Sequence, residues 1–140
     1  MTSSRFVKIG AAGAQLPAEA AEWVAVLDND TKLIWSLAAA KAKSWQHADE
    51  IAKSTTIAGL LGRLPTRKEL LTLVDDTRYN PAIDTAFFTE CPTDDWYWTS
   101  TPAAPSPGVC AWVVYFYSGD ANWDYRLNGG FVRAVRASQS

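Results

Sequence analysis

The feature that most constrains the fold of this sequence is a helix start near the middle of the chain. Thr66 and Glu69 have the spacing of a capping box, in which each side chain accepts a hydrogen bond from a backbone N–H group of the first turn. Pro65 keeps the residue before it extended. The apolar side chains that follow can form a buried face: Leu70, Leu71, Leu73 and Val74. The pattern predicts a helix that ends near Val74 and anchors the aromatic last third of the chain.

Length and charge limit the classes of function. The chain has 140 residues, which fits a single domain over residues 1–140 with its own core. Its formal net charge is -2, so we expect no nucleic-acid partner. We also expect no membrane insertion, because no run of about 18 apolar residues occurs. The N-terminus lacks the apolar core of a signal peptide. The expected location is a virion (phage tail) if the gene is phage-encoded, and otherwise the cytoplasm, or the cell surface by another route.

Alternation of apolar and polar residues predicts a chain dominated by short strands. The segments with this pattern are residues 5–9, 96–101, 109–117, 123–127 and 131–136, with a hairpin over 23–35. A second helix is predicted over residues 45–54, with Ser44 as its cap. Strands at both ends and two helices between them indicate an α+β fold with a mainly antiparallel sheet.

The connecting segments are predicted from turn-forming residues. Residues 55–61 are expected to be a linker, and residues 128–130, Asn-Gly-Gly, a tight hairpin turn. Residues 102–108 contain three prolines and are predicted to be a loop that cannot pair in a sheet. In the strand over 109–117, we expect Trp112, Val114 and Phe116 to share one face.

Aromatic residues are unusually frequent, at 12% of the chain with seven tryptophans. Many lie in the last third, where they suit either the core of a small β-rich domain or a recognition surface. The strongest candidate for a ligand-binding surface mixes aromatic and polar side chains in and near turns, a composition typical of binding loops. Its residues are Tyr115, Tyr117, Asp120, Asn122, Trp123, Asp124, Tyr125, Arg126 and Asn128. Such side chains suit sugar rings and hydroxyls as well as protein contacts, and an aromatic meander with polar turns is the alternative.

Other reactive side chains give no catalytic constellation, and we expect no cofactor and no metal. The single histidine cannot form a histidine ligand set. Acidic residues near the aromatic cluster could serve acid–base chemistry or calcium, but each sits beside a predicted turn: Asp94, Asp95, Asp120 and Asp124. Without an export signal, Cys91 and Cys110 are expected to be free thiols. Arg63 is expected to bond local carbonyls, and at most one of Arg133 and Arg136 to face the core.

Several motifs in order resemble one domain family. They are Asp30-Thr-Lys-Leu-Ile-Trp35, Gly62-Arg-Leu-Pro-Thr-Arg-Lys-Glu-Leu70, Ile83-Asp-Thr-Ala-Phe-Phe88, Trp98-Thr-Ser-Thr101 and Phe131-Val-Arg-Ala-Val-Arg136. Together they resemble the family named after the C-terminal domain of the Legionella collagen-like adhesin, over about residues 23–136. The resemblance implies a C-type-lectin-like fold with paired N- and C-terminal strands, two helices, and a long-loop region with a small second sheet. Ligands of such folds usually bind at that loop region.

The resemblance also implies a class of function. Members occur in bacterial adhesins and phage genomes, so we expect a non-enzymatic binding module that recognises a cell-surface glycan or protein, as a receptor-binding component of a phage tail or a bacterial adhesin. The Glu-Pro-Asn or Gln-Pro-Asp triplet of calcium-dependent lectins is absent, so calcium-dependent sugar binding gains no support.

Two alternatives are left open. A structural virion accessory protein would use the aromatic surface as an interface, with a homo-oligomer or a tail-assembly partner. A formylglycine-generating type of enzyme would use Cys91 and Cys110, but no activating base accompanies them.

Overall fold

A computed structural model of the chain describes residues 5–138. Its helices are α1 (Trp45–Ser54) and α2 (Arg67–Leu71). Its strands in chain order are β1 (Phe6–Ile9), β2 (Ala25–Asp28), β3 (Leu33–Ser36), β4 (Ala40–Ala42), β5 (Thr56–Ile57), β6 (Leu60–Leu61), β7 (Tyr97–Pro102), β8 (Cys110–Tyr115), β9 (Asp120–Tyr125), β10 (Gly130–Val132) and β11 (Val135–Ala137). None of the helices in this part of the chain could span a membrane.

The strands form three sheets. A four-stranded sheet has the order β1-β2-β3-β11, and a five-stranded sheet has the order β4-β10-β7-β8-β9. Strands β5 and β6 form a separate hairpin. All pairs are antiparallel except β10 with β7, which meet in parallel at Phe131 and Tyr97. The α+β class with mainly antiparallel sheets is therefore confirmed.

The central strands of both larger sheets are buried on two faces, which explains why these strands are so apolar. One core cluster lies against α1 and includes Trp98 and Val113. The other lies against α2 and includes Tyr97, Val114 and Phe116. Adjacent strand residues thus belong to different clusters, as the pleat of a strand requires. The predicted alternation in residues 109–117 is confirmed.

The helix caps confirm two predictions. The Ser44 hydroxyl accepts a hydrogen bond from the His47 N–H at the start of α1. Thr66 and Glu69 form the predicted reciprocal capping box at the start of α2. Helix α2 ends at Leu71, earlier than predicted, because the next backbone bonds span only three residues. Leu73 still reaches the core from this tightened turn.

The predicted last strand is two strands in different sheets. Strand β10 lies in the five-stranded sheet and β11 in the four-stranded sheet, so the segment between them passes from one sheet to the other. The prediction that at most one of Arg133 and Arg136 faces the core is wrong, because both are buried. Arg133 donates to the carbonyls of Ser36 and Leu37, and Arg136 to that of Ile57. Period-two alternation fails here because the chain changes sheets between the two arginines.

The prediction of a hairpin turn at residues 128–130 is also wrong. Strand β9 pairs only with β8, whereas β10 lies between β4 and β7. Strand β9 begins at Asp120, before the predicted start at Trp123, because the preceding turn closes early through a bond from the Gly119 N–H to the Tyr115 carbonyl. Gly119 has φ +88°, and a Cβ there would lie 2.7 Å from Val74 Cγ1, so this turn requires glycine.

Two further segments differ from their predictions. Residues 55–61 contain the hairpin β5–β6 rather than a linker, and Ala58 and Gly59 both have the positive φ of its turn. Pro102 belongs to β7, where it lies opposite Ala111 beyond a register shift. A proline is tolerated there because it needs no N–H beside a bulge.

The details implied by a C-type-lectin-like fold are met only in part. Two helices and two large, mainly antiparallel sheets are present in residues 5–138. Strands β1 and β11 lie at opposite edges of the four-stranded sheet, so the first and last described strands are not paired with each other. The second sheet has five strands and is not small. These findings support the α+β class, and the lectin-like architecture stays a prediction.

Candidate functional site

The predicted binding residues lie on and around β9, an edge strand of the five-stranded sheet. In its register with β8, Trp123 lies opposite Trp112 and Asp124 opposite Ala111. Side chains alternate along a strand, so neighbouring residues of β9 project to opposite faces of the sheet. The predicted surface is therefore divided into two surfaces of different chemistry.

The free edge of β9 is partly closed by its own side chains. The Arg126 N–H donates to the Val109 carbonyl at 2.8 Å. The backbone N–H and C=O groups of even-numbered residues in β9 therefore bond to β8, and those of odd-numbered residues point toward the free edge. The outward N–H of Trp123 donates to Asn122 Oδ1 at 2.8 Å. That of Tyr125 donates to Asp124 Oδ1 at 2.9 Å. These two donors are not free to pair with an added strand, which disfavours strand addition at this part of the edge.

The acidic face of β9 is defined by Asp120, Asn122 and Asp124, on the side of the sheet that carries α1. Asp124 Oδ2 accepts a hydrogen bond from Trp96 Nε1 at 3.0 Å, and its Oδ1 accepts one from Asn128 at 2.9 Å. Asp120 accepts a bond from the Ser118 hydroxyl. The carboxylates of this face are therefore already engaged within the protein.

A row of aromatic side chains extends from the acidic face toward the tip of the β8–β9 hairpin, residues 116–119. Trp96 meets Tyr115 edge to face, with ring centroids 6.4 Å apart. Tyr115 stacks on Tyr117 at 5.8 Å, and Tyr117 contacts Tyr79 at 6.5 Å. The segment that carries Tyr79 is fixed to the tip because the Asn80 N–H donates to the Tyr117 carbonyl. The rings form one supported row rather than independent side chains.

The opposite surface, here called the Arg67 face, consists of Arg67, Trp112, Trp123 and Tyr125. The Arg67 guanidinium carbon lies 3.8 Å from the centroid of the Trp112 ring, a cation–π contact. Trp123 and Tyr125 follow on the same side of β9 and are 43% and 59% exposed. The Arg67 backbone is held by a bond from its N–H to Thr101 Oγ1 on β7.

The donors of the Arg67 guanidinium have no acceptors among residues 5–138. Its Nε is buried without a hydrogen-bond partner. No carboxylate of these residues lies within 4 Å of it, in contrast to Arg63, which pairs with Glu69 at 2.8 Å. The Arg67 face therefore carries a positive charge, unused donors and exposed aromatic rings.

The structure places the predicted binding residues in two groups. On the side of α1 it brings together Tyr115, Tyr117, Asp120, Asn122, Asp124, Arg126 and Asn128. Within this group, Arg126 lies over the Trp45 ring at 4.2 Å and donates to the Pro107 carbonyl at 2.6 Å, so it is a packing residue. Trp123 and Tyr125 belong to the other side.

Four residues that the sequence reasoning missed contribute to these surfaces: Tyr79, Trp96, Arg67 and Trp112. The pairing of Trp112 with Trp123 could have been found by aligning β8 and β9 across a four-residue turn. No local pattern links Arg67 to Trp112, because α2 reaches that strand only through packing.

The two thiols are free, as predicted, and they lie apart. Cys91 contacts the hydroxyl of Tyr97. Tyr97 lies opposite Val114 in the pairing of β7 with β8. Cys110 lies four residues earlier on β8, about 13 Å along a strand. Burial raises the pKa of Tyr97 well above its ordinary value, so this phenol stays protonated. Within residues 5–138 no group of three potential metal ligands occurs.

Two ion pairs stabilise the scaffold away from β9. Burial alone would raise the pKa of Asp28, but the Arg5 guanidinium and the Asp30 N–H outweigh it, so the pKa lies below its ordinary value. The pKa of Glu69 is lowered in the same way by Arg63, against its own burial. Arg63 also donates to the neighbouring Leu64 carbonyl, which confirms the predicted local role.

Surface clefts lie elsewhere on the molecule. One of about 610 Å³ is lined by Trp23, Val24 and Leu37 among others, and one of about 520 Å³ by residues around Asp75. The Arg67 face lines neither of them.

The described residues thus form an α+β domain with an exposed aromatic edge strand. The family model of the Lcl C-terminal domain matches residues 24–136. The chain belongs to this family, and the suspected resemblance is confirmed. Membership is consistent with an adhesin-type binding module. A comparison with curated proteins finds no match.

Proposed function

We propose that this chain is a non-enzymatic, adhesin-type module that binds a cell-surface glycan or protein through the surface around β9. The observation that carries this proposal is the concentration of exposed aromatic side chains on one supported edge: Tyr79, Tyr117, Trp123 and Tyr125. Exposed rings of this size are costly in water unless a partner covers them, and they supply large contact area at low entropic cost.

The rigidity of the scaffold supports binding rather than packing as the role of these rings. Strand β8 beneath them is buried on both faces, and the hairpin tip is tied to residues 80–82 by backbone bonds. A preformed surface loses little side-chain freedom when a ligand binds. As part of the same proposal, the module lies on a phage tail or on a bacterial surface, where it can contact the cell that it recognises.

An alternative use of the same edge is an interface between copies in a virion. Strand addition is the simplest way to join edge strands, but the outward N–H groups of Trp123 and Tyr125 already have acceptors. The geometry therefore favours side-chain recognition. Size-exclusion chromatography with light scattering tests the alternative. This alternative predicts a stable oligomer whose interface buries Trp123 and Tyr125.

The direct test combines a glycan array with a whole-cell binding assay. We expect the native protein to bind cells or arrayed glycans, and the double change of Trp123→Ala and Tyr125→Ala to remove most of that binding. Leu127→Ala is the matched control, because Leu127 is 89% exposed and lies just beyond β9. Unchanged binding by the double variant would exclude this surface as the binding site.

A further inference from the structure

We propose that the Arg67 face binds a protein segment that presents a carboxylate next to an apolar side chain. The inference rests on the proposed function. That proposal allows a glycan or a protein as the partner, and the inference selects a protein. It is carried by the stacking of the Arg67 guanidinium on Trp112 beside the exposed Trp123.

The unused donors of Arg67 identify the charged part of the partner. A guanidinium presents paired N–H groups in one plane, and this fork matches a carboxylate in two parallel hydrogen bonds. The contact with Trp112 covers one side of the group and leaves its terminal NH₂ groups for a polar contact. Its Nε is buried without an acceptor among residues 5–138, so the two terminal NH₂ groups are the donors that an incoming carboxylate can reach.

The electrostatics of β9 favour this face for an acidic partner. The strand's own carboxylates, Asp120 and Asp124, project to the opposite side of the sheet. Lys68, next to Arg67, is exposed, and no described carboxylate within 4 Å neutralises Arg67. The chain as a whole has a net charge of -2, so this cationic surface is a local exception on an acidic protein.

The aromatic residues identify the apolar part. Trp, Tyr and Arg are the residue types that contribute most binding energy in protein interfaces. Trp123 and Tyr125 expose about half of their surfaces on the same sheet face as Trp112, on a strand whose backbone is held by β8. Small ligands generally occupy concave pockets, whereas this surface is a sheet face that lines neither of the large clefts. An aromatic and cationic sheet face outside these clefts suits a protein segment.

The test is a titration of the native chain, labelled with ¹⁵N, with defined peptides. The probes are end-blocked nonapeptides with a central Glu or Gln flanked by Leu or by Gly, and sodium glucuronate as a sugar carboxylate. We expect the Glu–Leu peptide to shift the Arg67 Nε–H and Trp123 indole signals. It should bind about tenfold or more tightly than the Gln–Leu and Glu–Gly peptides and than glucuronate.

Variants separate the role of Arg67 from charge alone. Arg67→Lys keeps the charge but loses the planar fork, so it should weaken the Glu–Leu peptide by about tenfold. Lys68→Met removes a neighbouring exposed charge and should change the affinity by less than about threefold. Thermal unfolding of each variant confirms that it is folded. Trp123→Ala is a second variant that should weaken binding of the Glu–Leu peptide.

The following outcomes overturn the inference: no peptide binds, the Glu and Gln peptides bind alike, glucuronate binds as well as the peptide, or Arg67→Lys binds normally. The proposed function fails separately. If the native protein binds cells and Arg67→Lys binds them equally, only the inference is lost. If the native protein binds the Glu–Leu peptide but no cells or glycans, only the proposed cell recognition is lost.

Discussion

The two faces of β9 differ in how completely their polar groups are satisfied. On the acidic face, Asp124 accepts bonds from Trp96, Asn128 and the Tyr125 backbone. On the Arg67 face, the guanidinium has a ring beneath it and no acceptor among the described residues. The strand thus holds its own loop with one side and leaves charge and donors unused on the other. Exposure alone does not separate the two sides, whereas the hydrogen-bond inventory does.

The largest expected effect is on binding by the Arg67 face. Trp123→Ala should weaken cell binding by about 2 kcal/mol, roughly thirtyfold, because it removes a central aromatic contact. Tyr117→Ala makes a comparable truncation at the hairpin tip on the acidic side, and it should weaken binding by less than about threefold. Equilibrium binding to cells measures both. A larger loss for Tyr117→Ala would reverse the assignment of the two faces.

The next effect is on stability through the acidic face. Asp124→Ala should lower the free energy of unfolding by about 1–3 kcal/mol, because Trp96 Nε1 and two other donors lose their acceptor. Asp120→Ala is the matched control and should change it by less than about 0.5 kcal/mol. Urea unfolding followed by tryptophan fluorescence measures both values. Equal effects at the two positions would mean that the Asp124 network does not hold the loop.

Acidification should test the scaffold independently of both faces. The folded-state pKa of Asp28 lies below its ordinary value, so its ion pair stabilises the fold above about pH 4 and this contribution is lost as the pH falls further. Asp28→Asn should lower stability near neutral pH by about 1–3 kcal/mol and flatten the acid limb of the stability curve. If stability falls with acidification in this variant as it does in the native protein, the loss of stability is due to another carboxyl group.

The smallest expected change concerns the edge of β9. Asn122→Val frees the Trp123 N–H, and it should change stability by less than about 0.5 kcal/mol while allowing weak self-association. Light scattering across a concentration series measures the association. Asn128→Val is the control, since the Asn128 side chain does not accept from an outward N–H. A strictly monomeric Asn122→Val protein would show that this side chain does not protect the edge.

Much of the local structure could be predicted from sequence. The helix caps and the alternation along β8 depend on residues within a few positions, so the predictions for Ser44, Thr66 and Val114 are confirmed. The site was predicted less well. Nearness in sequence predicts one surface, whereas β9 divides the predicted binding residues between two faces because side chains alternate along a strand.

The sequence by itself determined where the chain starts its helices, which strands are apolar, and that the last third is rich in aromatic residues. These properties follow from short-range hydrogen bonds and from the period of each strand. Only the tertiary structure decided that residues 131–136 pass between two sheets and that Arg67 lies on Trp112. Both depend on contacts between distant segments, and their geometry is fixed when α2 and the sheets bury their apolar faces together.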